Sequence, residues 1–166
     1  MAKDNDSLGG MLVEVGRCVL MAAAGDESAL EVLLRYSMFA PNKRLSDSLY
    51  TIYIALTPKT KRGRGRKPTP NWQANVAWTA ALLGRCGMDP AEAKRQAAIR
   101  RGRNLRSVQR YIAKNGQAIE NTIDLMIEAS RFHSRTDWQK LAKKYRLHDD
   151  ETRQLIDHIL SRQKQH

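Results

Sequence analysis

Residues 89–112 read Asp89-Pro90-Ala91-Glu92-Ala93-Lys94-Arg95-Gln96-Ala97-Ala98-Ile99-Arg100-Arg101-Gly102-Arg103-Asn104-Leu105-Arg106-Ser107-Val108-Gln109-Arg110-Tyr111-Ile112. Asp89 is an acidic cap, Pro90 suits the first helical position, and Glu92 stands three residues after the cap, so a helix starts here. It runs through Ala97, Ala98 and Ile99 to Gly102. A second helix is predicted from about Leu105 to Lys114, with Asn115-Gly116 as its stop signal. Ala98 lies four residues before Gly102 and Val108 six after it, and Tyr111 returns to the face of Val108. Two steeply crossing helices need a small residue at their close approach, a turn residue tolerant of positive φ, and apolar anchors on the second helix. This stretch supplies all three.

The rest of the chain is patterned the same way. Leu8, Leu12, Val15 and Val19 share a helical stripe, which Gly25-Asp26 breaks. Asp26 can cap a helix carrying Leu30, Leu33, Leu34 and Met38, which lasts until Pro41. Ser46 or Asp47 can start a third helix with Leu49, Ile52, Tyr53 and Leu56 on its buried side, ended by Pro58. Thr69-Pro70 opens the next, with a Trp72, Val76, Ala80, Leu83 stripe. Ile119, Ile123, Met126 and Ile127 mark another helix; Trp138, Leu141, Ala142 and Tyr145 mark one more; Leu155, Ile156 and Ile159 mark the last. No alternating strand pattern of useful length occurs, so the fold class is all-α, a multi-helix protein with a helix-turn-helix-like core. The organisation expected is an N-terminal helical unit at 1–56, for association or packing, a basic linker at 57–70, and a helical domain at 71–166. In that domain the two-helix candidate occupies 90–115.

Charge is placed unevenly along this plan. The chain carries 29 Lys and Arg against 17 Asp and Glu, a net charge of +12. Residues 1–56 are net −2, residues 57–70 are +6, residues 71–116 are +7, and residues 117–166 are +1. A solvated surface has no need of such a concentration, whereas a polyanion-binding face does.

Residues 97–112 resemble a helix-turn-helix of the kind in which the turn reads Gly-Arg, as in many transposases and recombinases. Arg101 stands where that pattern has an apolar residue; its aliphatic stem is expected to pack while its head reaches solvent. The resemblance implies that Val108, Tyr111 and Ile112 anchor the second helix. Asn104, Arg106, Ser107, Gln109, Arg110 and Lys114 would then face outward to base edges in a major groove. Arg100, Arg101 and Arg103 would lie nearer the phosphates, which orient rather than specify. The plain alternative is a helical hairpin with a solvated basic face.

In the linker, Lys61-Arg62-Gly63-Arg64-Gly65-Arg66-Lys67-Pro68 resembles an AT-hook, although Lys67 separates Arg66 from Pro68. That resemblance implies insertion of an Arg-Gly-Arg core into a narrow minor groove. Generic phosphate tethering by Lys61, Arg62, Arg64, Arg66 and Lys67 is the alternative, as is an RNA-binding arginine-glycine segment. Near the C-terminus, Leu141-Ala142-Lys143-Lys144-Tyr145-Arg146-Leu147, with Asp149-Asp150-Glu151 and Leu155-Ile156, echoes the two-helix spacing. Its second helix opens with three acids, which would repel phosphates, so it reads as structural or as a protein contact.

Cys18 and Cys86 form neither a disulfide framework nor a zinc site and suit a reducing, cytoplasmic compartment. In a bacterium the association would be with the nucleoid. His133, His148, His158 and His166 lack metal-ligand spacing, and no phosphate-binding loop or nucleophile motif occurs. The apolar stretch from Met11 to Ala24 is interrupted by Glu14 and Arg17 and is too short to span a bilayer. The expectation is a cytoplasmic, non-enzymatic DNA-binding protein without cofactors, a transcriptional regulator or mobile-element binder. Duplex DNA is its expected partner, and the N-terminal helices are expected to serve a homodimer or protein contact. The rival functions are a protein-interaction adaptor or inhibitor acting on a nucleic-acid-binding partner, and an RNA binder.

Overall fold

The computed structural model describes residues 2–58, 71–130, 154–159 and 161, and all of its regular structure there is helical. Six helices follow in order: α1 (Ala2–Ala23), α2 (Glu27–Met38), α3 (Lys43–Leu56), α4 (Trp72–Arg85), α5 (Pro90–Arg100) and α6 (Leu105–Ser130). A further helical stretch covers 154–159. The AT-hook-like segment and most of the C-terminal echo lie outside the described residues. Among those described, no helix is long and apolar enough to cross a membrane, and no group of His, Cys, Asp and Glu is arranged to hold a metal.

Polar side chains set where most of these helices start. The Asp26 carboxylate accepts from the Ser28 and Ala29 N–H groups, and Asp89 from those of Ala91 and Glu92. Asn42 and Asn71 accept from Leu45 and Ala74. Such caps satisfy donors that the first helical turn cannot pair internally. The Asn42 cap places the start of α3 one turn earlier than the expected Ser46 or Asp47. Ser46 instead donates its hydroxyl to the Ser37 carbonyl at 2.6 Å, closing the α2–α3 hairpin.

Two apolar layers meet at α4. One side of it, through Ala74, Ala77, Trp78 and Leu82, joins Val15 and Val19 of α1, Leu30 and Leu33 of α2, Leu49 and Ile52 of α3, and Ile123 and Met126 of α6. Ile156 and Ile159 close the same layer. The opposite side, through Val76, Ala80 and Leu83, packs on Ala93, Ala97 and Ala98 of α5 and on Val108 of α6. Residues 1–56 thus bury their apolar faces in a core shared with the later helices.

The expected stop at Asn115-Gly116 coincides with a break in helical geometry. α6 bends there, with Asn115 at φ −120° and ψ 22°, and then continues to Ser130. The Asn115 side-chain amide donates to the Tyr111 carbonyl at 3.1 Å, giving the bend a local partner. Beyond it, Ala118, Ile119, Thr122, Ile123, Leu125, Met126 and Ile127 are buried. Burying each large apolar side chain contributes about 1.5–3 kcal/mol, against about 1 kcal/mol for one glycine in a helix. Tertiary packing therefore resumes the helix directly after the break, with no loop between the two runs.

Ile123 is fully buried at the centre of the larger layer. Ile123→Ala is expected to cost about 2–5 kcal/mol of unfolding free energy in urea titration. Burial also pushes the Cys18 thiol from 9.0 up to about 11, with Glu14 adding to the shift. A folded-state value above the unfolded one stabilises fully below pH 9.0 and is lost as pH rises towards about 11. Cys18→Ala should accordingly flatten the fall in thermal midpoint across that alkaline window, and an unchanged slope would refute the assignment.

Candidate nucleic-acid interface

The connection between α5 and α6 is fixed by backbone hydrogen bonds. Gly102 adopts φ +56°. Its N–H donates to the Ile99 carbonyl at 3.0 Å, and the Arg103 N–H donates to that of Ala98 at 2.8 Å. These two bonds form a Schellman closure, in which a left-handed residue lets the chain turn back on the last helical carbonyls. Asn104 then caps α6, its side-chain oxygen accepting from the Ser107 N–H at 3.2 Å. Ala97, Ala98 and Val108 are buried at the contact with α4, and Leu105 and Ile112 pack partly against it.

With those anchors inward, the first half of α6 turns Arg106, Gln109, Arg110, Ala113 and Lys114 outward, all exposed. Arg100 and Arg103 are exposed beside the turn, as is Ile99 at the end of α5. Between Glu92 and Glu120 the chain carries eight Lys or Arg and no Asp or Glu. The acids that flank this interval have cationic or amide neighbours. Glu92 accepts from Arg95 and Gln96. Glu120 and Asp124 each receive one arm of the Arg85 guanidinium at 2.6 Å.

Three expected outward residues sit differently. Asn104 is the helix cap, so its carboxamide oxygen is turned to the backbone. Arg101 is half-buried, and its Nη2 donates to the Thr79 hydroxyl of α4 at 3.2 Å, so its head turns inward rather than to solvent. A guanidinium can replace the apolar residue of the resembled pattern there because Thr79 offers a buried acceptor. Ser107 is half-buried on the flank of the exposed face. Lys61, Arg62, Arg64, Arg66 and Lys67 lie outside the described residues.

Two contacts absent from the sequence reading join the end of the basic segment to this face. Asn71 donates its backbone N–H to the Ala23 carbonyl at 2.7 Å, caps α4, and hydrogen-bonds the Tyr111 hydroxyl through its side chain. Burial raises the Tyr111 phenol above its ordinary value, and the Asn71 bond partly offsets that. Beside it, the Arg103 guanidinium lies 4.9 Å from the centre of the Trp72 ring, a cation–π distance. The chain therefore leaves its basic stretch at residue 71 directly against α6 and the α5–α6 turn. Trp72 had a visible sequence signal only as a member of an apolar stripe.

No protein-family model, curated protein or solved structure matches the chain.

A Cβ added at Gly102 would meet nothing within 4 Å, so substitution there changes backbone strain alone. Gly102→Ala should lower stability by about 1–2 kcal/mol. Gly102→Asn should cost less, since asparagine tolerates the left-handed region. Equal losses in chemical denaturation would show that crowding, not φ, sets the turn.

Proposed function

We propose that this chain is a non-catalytic, cytoplasmic DNA-binding protein of helix-turn-helix type that lays the exposed half of α6 in the major groove of a duplex. The observation that carries the reading is the outer face of α6. Arg106, Gln109, Arg110 and Lys114 project from a helix whose other side is locked to α4 by Val108 and Ile112. Arg106 to Lys114 spans about 12 Å of helix axis, at about 1.5 Å per residue. That length covers about three to four base-pair steps, at about 3.4 Å each. Arg can pair with guanine and Gln with adenine on their groove edges.

Arg100 and Arg103 flank this face and suit phosphates. Residues 59–68 supply a basic arm that reaches backbone or minor groove from its attachment at Asn71, as arms do beside groove-reading helices. Duplex DNA is favoured over RNA because the A-form major groove is too deep and narrow to admit a helix. A regulator at a promoter, or a binder of mobile-element ends, is the matching biological role.

The test is a salt titration of binding to selected duplex, random duplex and RNA. Neutralised phosphates should make duplex affinity fall steeply with salt. Arg106→Ala or Arg110→Ala should cost about 1–3 kcal/mol on the selected site and relax its preference. Lys61→Ala or Arg62→Ala should weaken every sequence alike. Equal effects from all four changes, or tighter binding to RNA, would overturn the assignment of α6 as the reading helix.

A further inference from the structure

Trp72 opens α4 and Arg103 lies in the α5–α6 turn, and their side chains meet with the guanidinium carbon 4.9 Å from the centre of the indole. Both residues are held from behind. Asn71 ties the backbone before Trp72 to Ala23 and caps α4. The indole itself packs on the layer that contains Val76, Ala97 and Val108. The Arg103 N–H is fixed to the Ala98 carbonyl at 2.8 Å. Arg103 is nonetheless exposed, and among the described residues no acid pairs with it. Stacking engages the flat face of a guanidinium and leaves its in-plane N–H donors open. Arg101, two residues earlier, instead gives a donor to Thr79.

We infer that Trp72 is a positioning residue, which holds Arg103 as a preformed fork for one phosphodiester of the duplex backbone. The inference rests on the reading of the α5–α6 face as a duplex-binding surface, but it needs no sequence preference. A free arginine side chain gives up rotamer freedom when it grips a phosphate. A stacked one has given up part of that freedom already, when the chain folded. The planar fork also matches two phosphate oxygens at once, which an ammonium group does not. Trp72 thus acts through Arg103, by fixing where the fork stands beside the exposed half of α6.

The test is a double-mutant cycle on binding of the full chain to random-sequence duplex across a salt series. Arg103→Ala should lower the slope of affinity against salt by about one. Trp72→Leu should weaken binding about two- to fivefold, the range of an exposed cation–π contact, and leave that slope in place. Trp72→Phe, which keeps a ring, should recover most of the loss. With Arg103→Ala already present, Trp72→Leu should have no further effect, a non-additivity that a purely structural tryptophan would not produce. Arg103→Lys serves should Trp72→Leu misfold: it keeps the charge, so the slope should hold while affinity still falls. Losses that add in the double variant, or wild-type binding by Arg103→Lys, would overturn the positioning role alone. A wild-type chain that fails to hold random duplex at low salt would overturn the duplex reading along with it.

Discussion

Helix α4 has to satisfy two apolar layers at once, and the position of everything else follows from that. Of its 14 residues, Ala74, Val76, Ala77, Trp78, Thr79, Ala80, Leu82 and Leu83 are buried. Small residues at 74, 77 and 80 let neighbouring helices approach, while Trp78 and Leu82 fill the larger layer and Val76 and Leu83 the smaller. A helix apolar on opposite sides cannot lie on a surface; it must be sandwiched. The N-terminal helices cover one side, and the α5–α6 pair covers the other. At its end, Arg85 reaches the second half of α6 through two charged contacts. The basic face is thus held by the same element that centres the core.

α6 divides its length between two tasks, and the bend at Asn115 is where they separate. Before the bend the helix offers one apolar edge to α4 and a cationic face to solvent. After it, the helix is packed among α1, α3 and α4, and its exposed positions include the acids Glu120 and Asp124. A straight helix would carry the basic stripe past the core without the change of direction. The division keeps the acids away from the face proposed to meet phosphates and pairs two of them with Arg85.

The connection into that face is rigid for a local reason. Gly102 supplies a backbone geometry that other residues reach only with strain, and the two carbonyls it leaves behind are satisfied. Asn104 then satisfies the first turn of α6, and Arg101 ties the corner to Thr79. Side chains that a linear reading would offer to a ligand are thereby engaged in shaping the corner. The exposed set that remains is Arg106, Gln109, Arg110 and Lys114, with Arg100 and Arg103 at its margin.

Much of this was legible in the chain itself. Helix starts at Asp26 and Asp89, the turn at Gly102, the anchors Val108, Tyr111 and Ile112, and the concentration of charge all depend on residues a few positions apart, and local chemistry decides them. The inward turn of Arg101 was not legible, because its acceptor is on another helix. The break at Asn115-Gly116 and the helix beyond it, marked by Ile119, Ile123 and Met126, were legible, but that the second run follows with no loop was not, because it depends on packing against α1, α3 and α4. The contacts of Asn71 with Ala23 and Tyr111, and of Arg103 with Trp72, belong to the same class. They join segments that only the packed core brings together, so the placement of Asn71 and Trp72 against α6 and the α5–α6 turn was decided by tertiary structure.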